Sequence, residues 1–195
     1  MDEQCFFPFL RFAIGQAEEC PPTEGTDWER LYEFSVRQAI AGVVFDGVRR
    51  LDGSRAGIPK PLLLKWLALS EQVRQRNRVM NQRCVELTRM LEGDGLRCCI
   101  LKGQGNALAY PAPYTRTPGD IDVFVLPEGN LSISERRRVV TDYVRRRFPA
   151  PRIRYQHIDY PVFKDAEVEM HFIPTAKNNP LYNRRLQQWV EERME

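Results

Sequence analysis

Hydrophobic positions in the first half of the chain recur at helical intervals. Trp28, Tyr32, Val36, Ala39 and Val43 follow one another at spacings of 4, 4, 3 and 4, which predicts one helix over 28–43 with a single apolar stripe. Thr26 and Asp27 stand where an N-cap belongs. Gly53 and Gly57 close that section, and Pro59 and Pro61 stand where the next helix begins. The next stripe, Leu62, Trp66, Leu69, Val73, Asn77, Met80, Cys84, Leu87 and Leu91, predicts a long amphipathic helix with one polar member, Asn77, ended by Gly93 and Gly95.

The period then changes. Cys98-Cys99-Ile100-Leu101 reads as a short strand, Gly103-Gln104-Gly105 as a turn, and Ala107-Leu108-Ala109 as a short helix. Pro111, Pro113, Pro118 and Gly119 mark a loop before a second strand, Ile121–Val125. Ser134–Phe148 is helical, with Val139, Val140, Tyr143 and Val144 on its apolar face. Two or three strands follow between Arg152 and Ile173, the last being Val168-Glu169-Met170-His171-Phe172 with strict alternation. A helix from Leu181 runs to Glu195 with no cap and no following element, the pattern of a chain continued elsewhere or completed by another subunit. The expected fold is α+β, a small mixed sheet behind a helical N-terminal region. The expected organisation is a helical region over 1–95, a sheet-bearing core over 96–175 and a C-terminal helix over 176–195.

Composition narrows the function classes. With 29 Lys and Arg against 26 Asp and Glu in 195 residues, the net charge is +3, too small for a broadly basic nucleic-acid binder. The apolar runs are short and broken by Lys65 or Asp46, so no membrane span is expected. Asp2 and Glu3 occupy the place of a positive leader, and Arg11 breaks the apolar run that follows, so no secretory signal is expected. Five cysteines without a C-x-x-C pair give neither a disulfide framework nor a zinc knuckle, which points to the reducing cytoplasm.

The chemistry concentrates at Gly119-Asp120-Ile121-Asp122-Val123-Phe124-Val125. Side chains alternate along a strand, so Asp120 and Asp122 project together while Ile121, Val123 and Val125 face the core. Two carboxylates held side by side repel one another, and a divalent cation relieves that repulsion. Mg²⁺ suits the set, because it takes carboxylate oxygens together with waters and substrate phosphates. The alternative is a turn cap at Asp120 and a solvated strand residue at Asp122. A Gly turn upstream and a further acid downstream favour the metal reading. Of Asp165, Glu167 and Glu169, the last has apolar neighbours on both sides and lies deepest in its strand.

An apolar strand, a Gly turn into a helix, an acidic D-x-D strand and a third acid on a later strand together resemble the DNA-polymerase-β-like nucleotidyltransferases. Leu101-Lys102-Gly103, Tyr110-Pro111, Arg116 and Gly119-Asp120-Ile121-Asp122 are most similar to a bacterial nucleotidyltransferase family of undefined substrate. The resemblance spans roughly Ile100 to Phe172. It implies that Asp120, Asp122 and Glu169 are the catalytic acids and hold Mg²⁺ or Mn²⁺. It implies that Gly103 and Gln104 meet the phosphates of an NTP such as ATP, and that Lys102 or Arg116, the nearest cations in sequence, neutralises phosphate charge, the alternative for each being an ordinary surface charge. It also implies transfer of a nucleoside monophosphate to a hydroxyl on a small molecule, sugar, protein or RNA. Many members have Gly-Ser where this chain has Gly103-Gln104, which leaves backbone N–H groups and Gln104 to contact phosphate. A nucleotide- or partner-binding relative that has lost catalysis, and an antitoxin-like protein that nucleotidylates a partner toxin, are the other expectations.

Three further features stand apart. His171 shares a strand face with Glu169, and could orient a substrate or a carboxylate or be structural. His157 has no partner visible in the sequence. Arg136-Arg137-Arg138 and Arg145-Arg146-Arg147 lie about two turns apart on one helix, either as a solvated face or as a stripe for nucleic-acid phosphates.

Overall fold

The computed structural model describes residues 3–51, 57–129 and 131–193, and for residues 3–5 the backbone alone. Gly53, the Cys5 side chain and the end of the last helix lie outside it. Among the described residues the order is α1 (Glu3–Ala13), α2 (Trp28–Arg37), α3 (Ala41–Arg49), α4 (Lys60–Gly93), β1 (Leu96–Ile100), α5 (Lys102–Ala107), a 3-10 turn (Pro113–Thr115), β2 (Ile121–Pro127), α6 (Ile133–Arg145), β3 (His157–Asp159), β4 (Val168–His171) and α7 (Pro180–Arg193). The fold is α+β, with a helical N-terminal region and a small mixed sheet. Among the described residues no helix is long and apolar enough to cross a membrane.

These elements form two compact units. One takes the chain up to Val79 and adds Ala107–Pro118; the other takes Met80–Asn106 and the chain from Gly119 onward.

The first unit has an aromatic core. Phe6, Phe9, Phe12, Trp28, Phe45 and Trp66 are buried, and Phe9–Trp28 and Tyr32–Trp66 meet edge to face. Trp66 has no exposed surface, and its indole N–H donates to the Ala41 carbonyl at 2.8 Å, so the apolar ring is buried without stranding its one donor. The stripe predicted as one helix over 28–43 is two. Asp27 caps α2 by accepting from the Arg30 amide, α2 ends at Arg37, Ala39 takes a left-handed φ of 57°, and α3 restarts at Ala41. The close approach of Gly42 to the Thr115 carbonyl leaves no room for a Cβ and fixes where α3 can lie. Asn77, the polar member of the long stripe, is buried because its amide donates to the Tyr114 and Arg116 carbonyls at 3.1 and 2.7 Å. It fastens the 107–118 excursion, whose backbone would otherwise hold unmet acceptors.

The second unit carries the sheet, in the order β1-β2-β4-β3. β1 is antiparallel to β2, β2 is parallel to β4, and β3 is antiparallel to β4. A parallel pair needs a crossover, and the chain between β2 and β4 holds α6, opened by a capping box between Ser132 and Glu135. Val123, Val125, Met170, Ile158, Val140, Val144 and Leu87 form one buried cluster. The sequence placed the short helix at 107–109, after the glycine turn. It instead spans Lys102–Ala107 and includes the turn, kinked at Gly103.

Candidate functional site

The site is built on the sheet face opposite that cluster. Register sets Asp122 beside Glu169 and Glu169 beside Asp159. In the next row Phe124 stands beside His171, and His171 beside His157. Because side chains alternate, both rows lie on one face. Asp120, exposed just ahead of β2, offers a carboxylate oxygen within 4.8 Å of those of Asp122 and Glu169. The three acids expected from the sequence are thus brought together.

Asp122 is the buried member, 6% exposed. Burial pushes its carboxyl pKa up, but two donors outweigh that and hold it at about 2. His171 Nε2 lies 2.8 Å and Lys102 Nζ 2.7 Å from Asp122 Oδ1. His171 is itself buried, with Nδ1 3.3 Å from the Ile173 carbonyl and Nε2 3.5 Å from Glu169 Oε2. Both ring nitrogens therefore face acceptors.

Lys102 reaches Asp122 from a backbone that only glycine adopts without strain. Its φ is 44°, a left-handed conformation that costs an L-residue about 1–2 kcal/mol. It sits where β1 turns into α5, and Gly103 continues the corner at φ 4°, ψ −99°. Two residues on, a Cβ at Gly105 would come within 2.6 Å of the Ile100 carbonyl, so only glycine fits against the end of β1. Gln104 is buried and donates to Asn81 on α4 at 2.5 Å. Arg116 belongs to the first unit, where its carbonyl receives the Asn77 amide.

Of the other acids, Asp165 forms a two-oxygen ion pair with Arg83, and Glu167 is exposed. The arginine stripe is divided. Arg136 is buried, donates to the Phe172 carbonyl, pairs with Glu191 and lies over the Phe124 ring; Arg147 pairs with Asp94; Arg138 and Arg145 are exposed.

His157, without a visible partner in the sequence, faces Glu169, with Nδ1 3.3 Å from Oε2. Sequence reasoning also passed over Asp159. The signal was present but needed pairing: His157-Ile158-Asp159 alternates as Glu169-Met170-His171 does, and the two segments are antiparallel neighbours.

No match is found among curated proteins or among solved structures. A family model described as an uncharacterised nucleotidyltransferase matches residues 24–195. The acid-bearing strands and the glycine corner beside them fall within that match, and the chain belongs to this nucleotidyltransferase family.

Proposed function

We propose that this chain moves a nucleoside monophosphate from an NTP to a hydroxyl acceptor with the help of a divalent cation. The observation that carries the reading is the convergence of Asp120, Asp122 and Glu169, whose oxygens lie within 4.8 Å of one another. Three carboxylates form a hard, anionic donor set, which fits Mg²⁺ or Mn²⁺. A cation bound there supplies Lewis-acid charge to the phosphates and the attacking hydroxyl.

The chain's own groups do the rest. His171 holds the Asp122 carboxylate in place through Nε2. Lys102 carries an ammonium group next to Asp122, positioned to counter phosphate charge. Gly103, at the turn from β1 into α5, puts no side chain between a phosphate and the backbone. Glu169, half-buried in β4, takes the proton of the acceptor hydroxyl. The acceptor oxygen bonds to the α-phosphorus, the bond from that phosphorus to the bridging oxygen breaks, and pyrophosphate leaves with the electron pair.

The experiment is pyrophosphate release from NTP and Mg²⁺ in the presence of candidate hydroxyl acceptors, with Asp122→Asn as the control. Release that needs Asp122 supports the reading; release unchanged in the variant sinks it. One observation favours a binding-only relative: Gln104 is buried and bonded to Asn81 at the turn where many relatives have a serine hydroxyl. That reading expects NTP affinity by calorimetry with no release under any acceptor.

A further inference from the structure

Next to the three carboxylates, the same sheet face holds a second donor set of different chemistry. His157, Glu169 and His171 offer ligand atoms that all lie within 4.8 Å of one another. We propose that these three residues bind a borderline divalent metal of the zinc class, at a position distinct from the hard-cation set and sharing only Glu169 with it.

Three observations carry the proposal. The first is convergence on one atom. His157 Nδ1 is 3.3 Å and His171 Nε2 is 3.5 Å from the same oxygen, Glu169 Oε2. Both separations exceed the roughly 2.7–2.9 Å of a charge-assisted hydrogen bond. They match the spacing of ligands around a tetrahedral zinc ion: bonds of about 2.0–2.1 Å put neighbouring ligand atoms about 3.3–3.4 Å apart.

The second is donor type. Two of the three donors are imidazole nitrogens. Imidazole suits zinc, copper, nickel and iron, whereas Mg²⁺ takes oxygen. Two histidines and one carboxylate leave a fourth tetrahedral position for water or substrate, the pattern of an open zinc site rather than a closed structural one.

The third is the support behind the ligands. His171 is 2% exposed, and its Nδ1 lies 3.3 Å from the Ile173 carbonyl. A ligating histidine ordinarily makes such a contact through its other nitrogen, and the contact fixes ring and tautomer. The two rings are tilted by 50° with centroids 5.0 Å apart, so neither stacks across the other's nitrogen. A metal on His171 Nε2 would take the place of its 2.8 Å contact with Asp122, and Lys102 Nζ, 2.7 Å from the same Asp122 oxygen, would then be the donor that holds that carboxylate. Register makes the set robust: His157 stands directly across from His171 in the β3–β4 ladder, and Glu169 is two residues from His171 on the same face.

The test uses Co²⁺ as a spectroscopic stand-in for zinc, titrated into the purified full chain. A saturable visible d–d absorption, abolished by Zn²⁺ but not by excess Mg²⁺, is expected. His157→Gln is expected to weaken Co²⁺ binding about tenfold or more, whereas Asp120→Asn is expected to leave it within about twofold. Asp120 belongs to the carboxylate set alone, so its variant separates the two positions. No saturable band, a band unaffected by His157→Gln, or a band dominated by thiolate charge transfer each overturns the proposal. His171→Gln is expected to abolish the band, and should that buried variant fail to fold, the half-buried His157→Gln decides alone. Pyrophosphate release in Mg²⁺ reads the nucleotidyl-transfer assignment separately, so either result can fail while the other holds.

Discussion

The two faces of the four-stranded sheet are made by alternate residues of the same strands, yet they do opposite things. On one face Val123, Met170 and Ile158 have no exposed surface and join a single apolar cluster. On the other, one register step away, stand Asp122, Glu169 and Asp159 with His171 and His157. The apolar face stabilises: burying an aliphatic side chain contributes about 1.5–3 kcal/mol. The polar face costs, because an unpaired buried carboxylate is unfavourable and must find donors or a cation. The strands are therefore held by one face so that the other can keep a crowded set of acids in fixed register. Stability and chemistry should be separable by substitution along a single strand.

The largest expected break in that separation is at Asp122. Asp122→Asn should lower transfer roughly a thousandfold, the scale seen when a preorganised electrostatic group is lost. It should also erase any Mn²⁺-dependent rise in melting temperature while leaving the chain folded. A variant that keeps the full thermal shift would remove Asp122 from the metal set.

Met170 lies between Glu169 and His171 but points the other way. Met170→Ala should cost about 2–5 kcal/mol in denaturant unfolding and leave Mn²⁺ affinity nearly unchanged. Loss of affinity with no loss of stability would mean that the faces are assigned the wrong way round.

Within the acidic strand the contrast is finer. Glu169→Gln should keep NTP binding and reduce transfer by about a hundredfold, within the range for a group that moves a proton. Glu167→Gln should change neither by more than about twofold, its carboxylate being exposed. The reverse outcome, measured by calorimetry and pyrophosphate release, would place the working acid two residues earlier.

The smallest effect is also the most direct reading of the two faces. Cys98 and Cys99 are neighbours in β1, Cys98 paired with Val125 and Cys99 with Phe124. Burial pushes the Cys98 thiol up to about 11, whereas Cys99 is exposed. At pH 8 about one Cys98 in a thousand is the reactive thiolate. Peptide mapping after iodoacetamide should find Cys99 labelled first, with Cys98 labelling rising as pH climbs toward 11. Equal rates at pH 8 would show that β1 does not alternate as described.

Much of this was legible because it follows from local rules. The alternation of Glu169-Met170-His171 and the D-x-D at Asp120 and Asp122 marked the two strands that carry the candidate site without any knowledge of their pairing. What was hidden depended on partners far along the chain. The break between α2 and α3 has no proline or glycine at Gln38-Ala39-Ile40, and Gly42, just past it, packs against the Thr115 carbonyl, a contact no local pattern encodes. His157 looked solitary because its partner, Glu169, is set by the antiparallel register of β3 against β4. Strand β2 also read as half-buried, but Phe124 and Leu126 are covered as well, Phe124 in part by the Arg136 guanidinium.

The parallel pairing of β2 with β4 also has a kinetic consequence. Asp122 and His171 touch across 49 positions of chain, with α6 and β3 between them. Closing such a loop carries an entropic cost before any contact across it is gained, and non-local pairing of this kind slows folding. The strands of the candidate site are therefore expected to meet after the antiparallel β1–β2 and β3–β4 pairs, whose connections are shorter. Lengthening the connection between α6 and β3 should slow refolding and barely alter the finished protein, since each doubling of a flexible loop costs only about 0.6 kcal/mol.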